Sequence, residues 1–151
     1  MSVAKSHKVK DVFTDGPIDP TAISMSVAKH AARTDIGAHE IFLGQVRADV
    51  MDGLKVVAIE YAAYREMALE RMTAIREEAF AKWPSITCLH VHHSLGRVSA
   101  GELCFMVFAS APHRQAAREV VAYVVDRIKA ELPIFGKEIR SDETHRWKQN
   151  T

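Results

Sequence analysis

The sequence predicts an α+β domain, with about three helices packed on a mostly antiparallel sheet. Three observations predict it. Two long segments carry apolar residues at three- and four-residue spacing, and each is closed by a proline, Pro84 or Pro133. Short alternating or β-branched runs lie around them, separated by Gly- and Asp-containing turns. The resulting order, β-α-β-β-α-β-β-α-β-β, fits helices laid on a sheet of antiparallel neighbours.

Taken in order, Lys8 to Phe13 reads as a short edge strand and Thr14-Asp15-Gly16-Pro17 as a turn. Asp19-Pro20 is an N-cap followed by proline at the first helical position. The helix it opens puts Ile23, Val27 and Ala31 on one face and ends near Arg33. Ala38 to Val46 is a strand, with Ile41 and Leu43 alternating against Phe42. Asp49 to Gly53 is a polar turn, and Lys55 to Tyr61 is a β-branched strand expected to pair with the strand before it.

The clearest helix spans Tyr64 to Trp83, with Tyr64, Met67, Ala68, Met72, Ile75 and Ala79 on its apolar stripe. Ile86 to Leu95 is a strand, Gly96 to Gly101 a turn, and Leu103 to Ala109 a continuous apolar strand buried on both faces. Pro112 opens a second long helix to about Leu132, with Ala116, Val120, Tyr123, Val124 and Ile128 inward. A last hairpin pairs Ile134 to Arg140 with Thr144 to Lys148 around Ser141-Asp142-Glu143.

The chain has 151 residues, the size of one domain, and residues 1–151 are read as one. Being 48% hydrophobic and 26% charged, with 7 Gly and 5 Pro, it is neither disordered nor collagen-like. A net charge of +1 counts against a general nucleic-acid binder. No apolar run approaches the roughly 18 residues of a membrane span. The N-terminus lacks the apolar core of a secretory signal. Two cysteines without a CxxC suggest neither stapling nor a zinc knuckle. The expectation is a soluble, cytoplasmic protein.

Four constellations carry candidate chemistry. Gly44-Gln45-Val46-Arg47 ends a strand, where glycine permits close approach of a ligand and Arg47 is placed to grip an anion. An ordinary surface arginine fits the same residues. Ser110-Ala111-Pro112-His113-Arg114 feeds a strand into a helix N-terminus. His113 and Arg114 are there of the wrong sign for the helix dipole, which suggests a bound phosphate or carboxylate. Lys129, Lys137 and Glu138 flank Pro133-Ile134-Phe135-Gly136, an apolar segment able to desolvate an amine; plain surface lysines fit equally. His90 and His92 share a strand face as a metal pair would. No third ligand stands at a convincing spacing, so no metal site is expected. Cys88 and Cys104 read as small core residues.

Together these residues resemble the large, catalytic subunit of molybdopterin synthase, from Ile36 to Trp147, with residues 1–35 outside the clearest match. The pieces are Phe42-Leu43-Gly44-Gln45-Val46-Arg47, Ile59-Glu60-Tyr61 with Tyr64-Arg65-Glu66-Met67, and His93-Ser94-Leu95-Gly96 with Gly101-Glu102. Ser110 to Arg114, Asp126-Arg127-Ile128-Lys129 and Pro133 to Glu138 follow in order.

The resemblance implies sulfur transfer. A small ubiquitin-like carrier subunit threads a Gly-Gly C-terminal thiocarboxylate into the large subunit. Two sulfurs, one per carrier, reach a cyclic pyranopterin monophosphate and make the dithiolene of molybdopterin. Lys129 matches the catalytic lysine. Lys137 is the second catalytic candidate, and Gln45, Val46, Arg47, His113, Arg114, Lys129, Gly136, Lys137 and Glu138 fall at substrate-handling positions. The thiocarboxylate is already a good nucleophile, so no metal or other cofactor is called for.

Two departures stand out. The family often reads His-Arg-x-Gly where this chain has His93-Ser94-Leu95-Gly96. It usually has Pro-Ile-Trp-Lys-Lys-Glu where this chain has Pro133-Ile134-Phe135-Gly136-Lys137-Glu138. Either Lys137 supplies the second amine through a shifted backbone, or that amine is dispensable.

His113 and Lys129 lie sixteen positions apart on one predicted helix, roughly 24 Å at about 1.5 Å per residue. One pterin cannot touch both, so the expectation is a site shared across a homodimer, within a heterotetramer. The rival reading is a non-catalytic dimeric module that binds an anionic metabolite through Arg47, His113 and Arg114.

Overall fold

The structure is a computed structural model that describes residues 11–148. Its strands are β1 (Phe13–Asp15), β2 (Ala38–Gln45), β3 (Val50–Met51), β4 (Leu54–Ala63), β5 (Cys88–Ser99), β6 (Leu103–Ala111), β7 (Ile134–Arg140) and β8 (His145–Trp147). The helices are α1 (Thr21–Lys29), α2 (Arg65–Lys82) and α3 (Arg114–Glu131). All eight strands join one sheet in the order β2-β6-β5-β4-β7-β8, with β1 on β5 and β3 on β4. Every pairing is antiparallel except β1 with β5. The α+β class read from the sequence is the class found.

The sheet has two unequal faces. Helices α2 and α3 cover one, burying Met72, Ile75, Val120 and Val124 against Leu89, Phe105 and Val107. Each such side chain contributes about 1.5–3 kcal/mol by leaving water. Alternation along β6 sends Met106 and Phe108 to the other face, where Ile18 joins them and Ile23 of α1 packs alongside. Strand β6 is therefore apolar without interruption from Leu103 to Ala109, as expected of a strand covered on both sides.

Several expectations are corrected. The predicted strand from Lys8 begins outside the described residues, and β1 starts at Phe13. Pro20 does open α1 in helical conformation, with Asp19 Oδ1 accepting from the Thr21 N–H at 2.9 Å. That helix ends at Lys29, short of Arg33, and buries none of its residues. Strand β4 pairs with β5 and β7 rather than with β2, which lies beside β6.

The polar turn at Asp49 to Gly53 is a hairpin onto β3, with Asp52 at φ 54° and Gly53 at φ 75°. Two consecutive positive φ values are what the type I′ two-residue hairpin turn demands. The expected turn from Gly96 shrinks to residues 100–102, because β5 continues through Gly96 to pair with β4. Tyr64 and Met67 are exposed rather than on the buried stripe of α2. Helix α3 buries Ala117, Val121 and Val125 with the predicted Val120, Val124 and Ile128, while Ala116 and Tyr123 only flank the core.

Candidate functional site

Three chain segments converge on one small cavity. The last turn of α3 carries Lys129. Leu132 takes an extended conformation, as a residue before proline prefers, and Pro133 starts the return along β4. That return brings Gly136 opposite Tyr61. From the other side, the register slip at Gly44/Gln45 ends β2 there. Gly44 packs closely here, since a Cβ on it would stand 3.0 Å from the Phe105 Cβ and oblige that residue to shift slightly.

The cavity encloses about 80 Å³ and is walled by Gly44, Gln45, Tyr61, His93, Cys104, Phe105, Lys129, Gly136 and Lys148, among others. Lys148 arrives from the end of the β7–β8 hairpin, where its N–H donates to the Gly136 carbonyl at 2.7 Å. It also borders a wider groove of about 480 Å³ lined by Arg47, Asp49, Glu138, Arg146 and Trp147.

The electrostatics of the cavity are specific. The Lys129 ammonium lies 5.6 Å from the centre of the Phe105 ring. Burial, and then repulsion from Lys148, hold its pKa below the ordinary lysine value. His93 donates from Nδ1 to the Ser94 carbonyl at 2.8 Å and packs against Tyr61 and Phe105. Burial, helped by Lys129 and Lys148, pushes its pKa down to about 4, so the ring is neutral at pH 7. Burial first, then Cys104 and Glu138, hold the Tyr61 hydroxyl above its usual range. The cavity thus has two cationic side chains and a wall of uncharged hydrogen-bonding groups, which suits a small acidic group brought in from solvent.

Of the sequence-predicted residues, Gln45, Lys129 and Gly136 meet in the cavity. Arg47 and Glu138 meet in the adjoining groove, where Arg47 pairs with Asp49 at 3.2 Å and Glu138 with Arg146 at 2.9 Å. Val46 does not reach the site: its side chain is core, and its N–H and C=O are taken by Glu102 and Gly101. The backbone shift considered for Lys137 is absent. Strand β7 keeps unbroken register on β4 from Ile134 to Ile139, so alternation sends Lys137 to the face opposite Gly136.

His113 and Arg114 are exposed at the start of α3, with no acidic residue in its first turn. They are sixteen and fifteen positions before Lys129, so one chain does not bring them to its own cavity. Ser94, at the arginine position of the family pattern, is fully buried. Lys148, Tyr61 and Cys104 were missed as cavity residues. For Lys148 only the predicted hairpin could have signalled it, by folding that lysine back beside Gly136.

The chain is thus an α+β protein whose eight-stranded sheet carries a lysine-walled cavity where its last helix turns into β7. The particular family follows from comparison. The sequence pattern described as "MoaE protein" matches residues 13–131, and the chain belongs to that family. The "Molybdopterin synthase catalytic subunit" of Drosophila grimshawi is 40% identical over 115 residues, 76% of this chain and 32% of that protein. "Molybdopterin synthase catalytic subunit 1" of Aedes aegypti is 39% identical over 121 residues, 79% of this chain and 77% of that one.

The chain spans about a third of the length of the Drosophila relatives it matches. The crystal structure of molybdopterin synthase from Staphylococcus aureus superposes with a TM-score of 0.80 at 28% identity, covering 93% of this chain and 98% of that one. No helix among the described residues is long and apolar enough to cross a membrane.

Proposed function

We propose that this chain is the catalytic subunit of a molybdopterin synthase acting in the cytoplasm. It transfers sulfur from the C-terminal thiocarboxylate of a small ubiquitin-like carrier to cyclic pyranopterin monophosphate, forming the dithiolene. The observation that carries the reading is the narrow cavity shared by Lys129 and Lys148. A Gly-Gly tail has no side chains to obstruct such a cavity, and two ammonium groups stabilise the carboxylate or thiocarboxylate at its end. The exposed apolar side chains Tyr64, Met67 and Phe135 lie where β4 leads into α2 and β7 begins, with the Tyr64 and Phe135 rings 5.6 Å apart, and are assigned to the surface that meets the carrier body.

The chemistry follows from the residue types. The thiocarboxylate sulfur attacks a pterin carbon without needing activation, forming a C–S bond as an oxygen substituent leaves that carbon, and water then cleaves the S–acyl bond so that the carrier departs as its carboxylate. Negative charge then develops on the departing groups, and a proton must move. Lys129, whose protonated form is disfavoured by burial and by Lys148, does this work, and Lys148 takes the place of the second amine that Gly136 lacks. Arg47 and Arg146, each paired with a carboxylate of the same groove, line the path that continues from the cavity.

The phosphate of the pterin sits on His113 and Arg114 of a second copy, where the free N–H groups of the α3 N-terminus add their dipole. The assembly is a homodimer carrying two carriers. In the test, Lys129→Ala lowers turnover about 100-fold or more while pterin affinity by calorimetry stays within a few-fold. Lys148→Met moves the alkaline limb of the rate profile to higher pH, because Lys129 loses a repelling neighbour. Turnover of Lys129→Ala within a few-fold of the parent overturns the reading; a non-catalytic binding module has no turnover to lose.

A further inference from the structure

A second cluster of reactive side chains lies on the sheet face away from α2 and α3, separate from the lysine cavity. Cys88 and His90 are two residues apart on β5, so their side chains emerge on the same face. They sit beside Ser110 and Phe108 of β6. His30, the C-cap of α1, comes over the same spot. One ligand atom from each of His30, Cys88 and His90 lies within 4.8 Å of the other two. Bonds of about 2.0–2.3 Å in a tetrahedral site place ligand atoms roughly 3.5 Å apart, so closure needs a contraction of about an ångström, within reach of small χ changes.

The hydrogen bonding prepares these groups as ligands. His30 Nδ1 lies 2.6 Å from the Ser26 carbonyl, which can only accept, so Nδ1 carries the proton and the Nε2 lone pair is available. This is how metal-bound histidines are usually oriented. A fourth group stands near. The His39 ring is 6.1 Å from that of His30, and its Nδ1 is engaged by Ser110 Oγ at 2.6 Å. Three imidazoles thus surround the Phe108 ring, at 5.3 Å for His39, 5.5 Å for His30 and 6.0 Å for His90.

We propose that His30, Cys88 and His90 form a binding site for a divalent transition-metal ion of the zinc type, with His39 or a water in the fourth position. Two imidazoles and a thiolate are the donor set such ions prefer, and the absence of a carboxylate in the set disfavours magnesium or calcium. On binding, the Cys88 S–H bond breaks, an S–metal bond forms and the proton leaves to solvent, with no change of oxidation state. The consequence is mechanical. Helix α1 buries none of its residues, so an ion joining His30 to β5 fastens the end of this helix to the sheet.

The test uses untagged, chelator-stripped full-length protein titrated with Co²⁺ and then Zn²⁺. One equivalent of Co²⁺ should give a thiolate-to-cobalt charge-transfer band and the strong visible bands of a four-coordinate site, both removed by Zn²⁺. Cys88→Ser should abolish the charge-transfer band, and His30→Gln should weaken binding at least about tenfold. Zn²⁺ should also slow amide exchange across residues 21–29. No saturable charge-transfer band in the parent overturns the proposal. So does Co²⁺ binding that His30→Gln leaves unchanged, a variant at the half-exposed end of α1 that does not threaten the fold.

Discussion

Lowering the pH tests the interior of the lysine cavity through His93. In the folded chain its pKa is about 4 against an ordinary 6.5. The unfolded chain therefore takes up the proton first. The stability His93 leaves intact above pH 6.5 is lost progressively as pH falls to 4, with no further loss below that. At about 1.4 kcal/mol per pH unit this interval amounts to about 3 kcal/mol. For a domain of this size, 1 kcal/mol moves Tm by roughly 2–4 °C, so the expected contribution is roughly 6–12 °C. The assay is thermal unfolding of the parent and of His93→Gln between pH 7 and pH 4. Carboxylates titrate alike in both and cancel in the difference. Tm of the parent should fall more steeply by that margin. Parallel curves over the interval would refute the claim that His93 is held neutral by burial beside Lys129 and Lys148.

Three further outcomes are expected. Gly37→Ala places a Cβ 2.1 Å from the Pro112 carbonyl oxygen; it should cost about 1–3 kcal/mol, a Tm loss of roughly 2–12 °C in calorimetry, by forcing β2 off the junction that leads into His113 and Arg114. Mixing inactive Arg114→Ala and Lys129→Ala chains should restore part of the turnover, because a mixed dimer holds one intact composite site; no recovery despite demonstrated subunit exchange refutes the shared site. Removing the last two residues of the carrier should abolish product, since the tail then falls short of Lys129, and an unchanged yield in a single-turnover assay argues against the cavity as the tail's destination.

Local signals made much of the fold legible. The prolines at 84 and 133, the apolar stripes of α2 and α3 and the unbroken run of β6 depend on residues close in sequence. Pairing across the sheet was harder to read. Only the two-residue β3 separates β2 from β4 in sequence, yet β5 and β7 take the two edges of β4 and β2 pairs with β6 instead. The buried face of α3 is wider than one stripe because the helix packs against both the sheet and α2.

At the site, Gln45, Arg47, Lys129 and Gly136 were readable because each belongs to a short motif. Lys148 was not, because its place beside Gly136 exists only once β8 folds back on β7. The cluster of His30 with Cys88 and His90 was equally invisible. His90 and His92 suggested a pair along one strand, whereas the nearer partner arrives from a helix fifty-eight positions before Cys88.

In the proposed reaction Lys129 and Lys148 receive a thiocarboxylate and pass its sulfur to a pterin. The most direct measurement incubates the full-length chain with a thiocarboxylated Gly-Gly carrier and cyclic pyranopterin monophosphate, and quantifies both dithiolene product and spent carrier. Product should form with two carriers consumed per molecule, and at least about 100-fold more slowly with Lys129→Ala. A folded chain that binds carrier and pterin yet forms no dithiolene would contradict it.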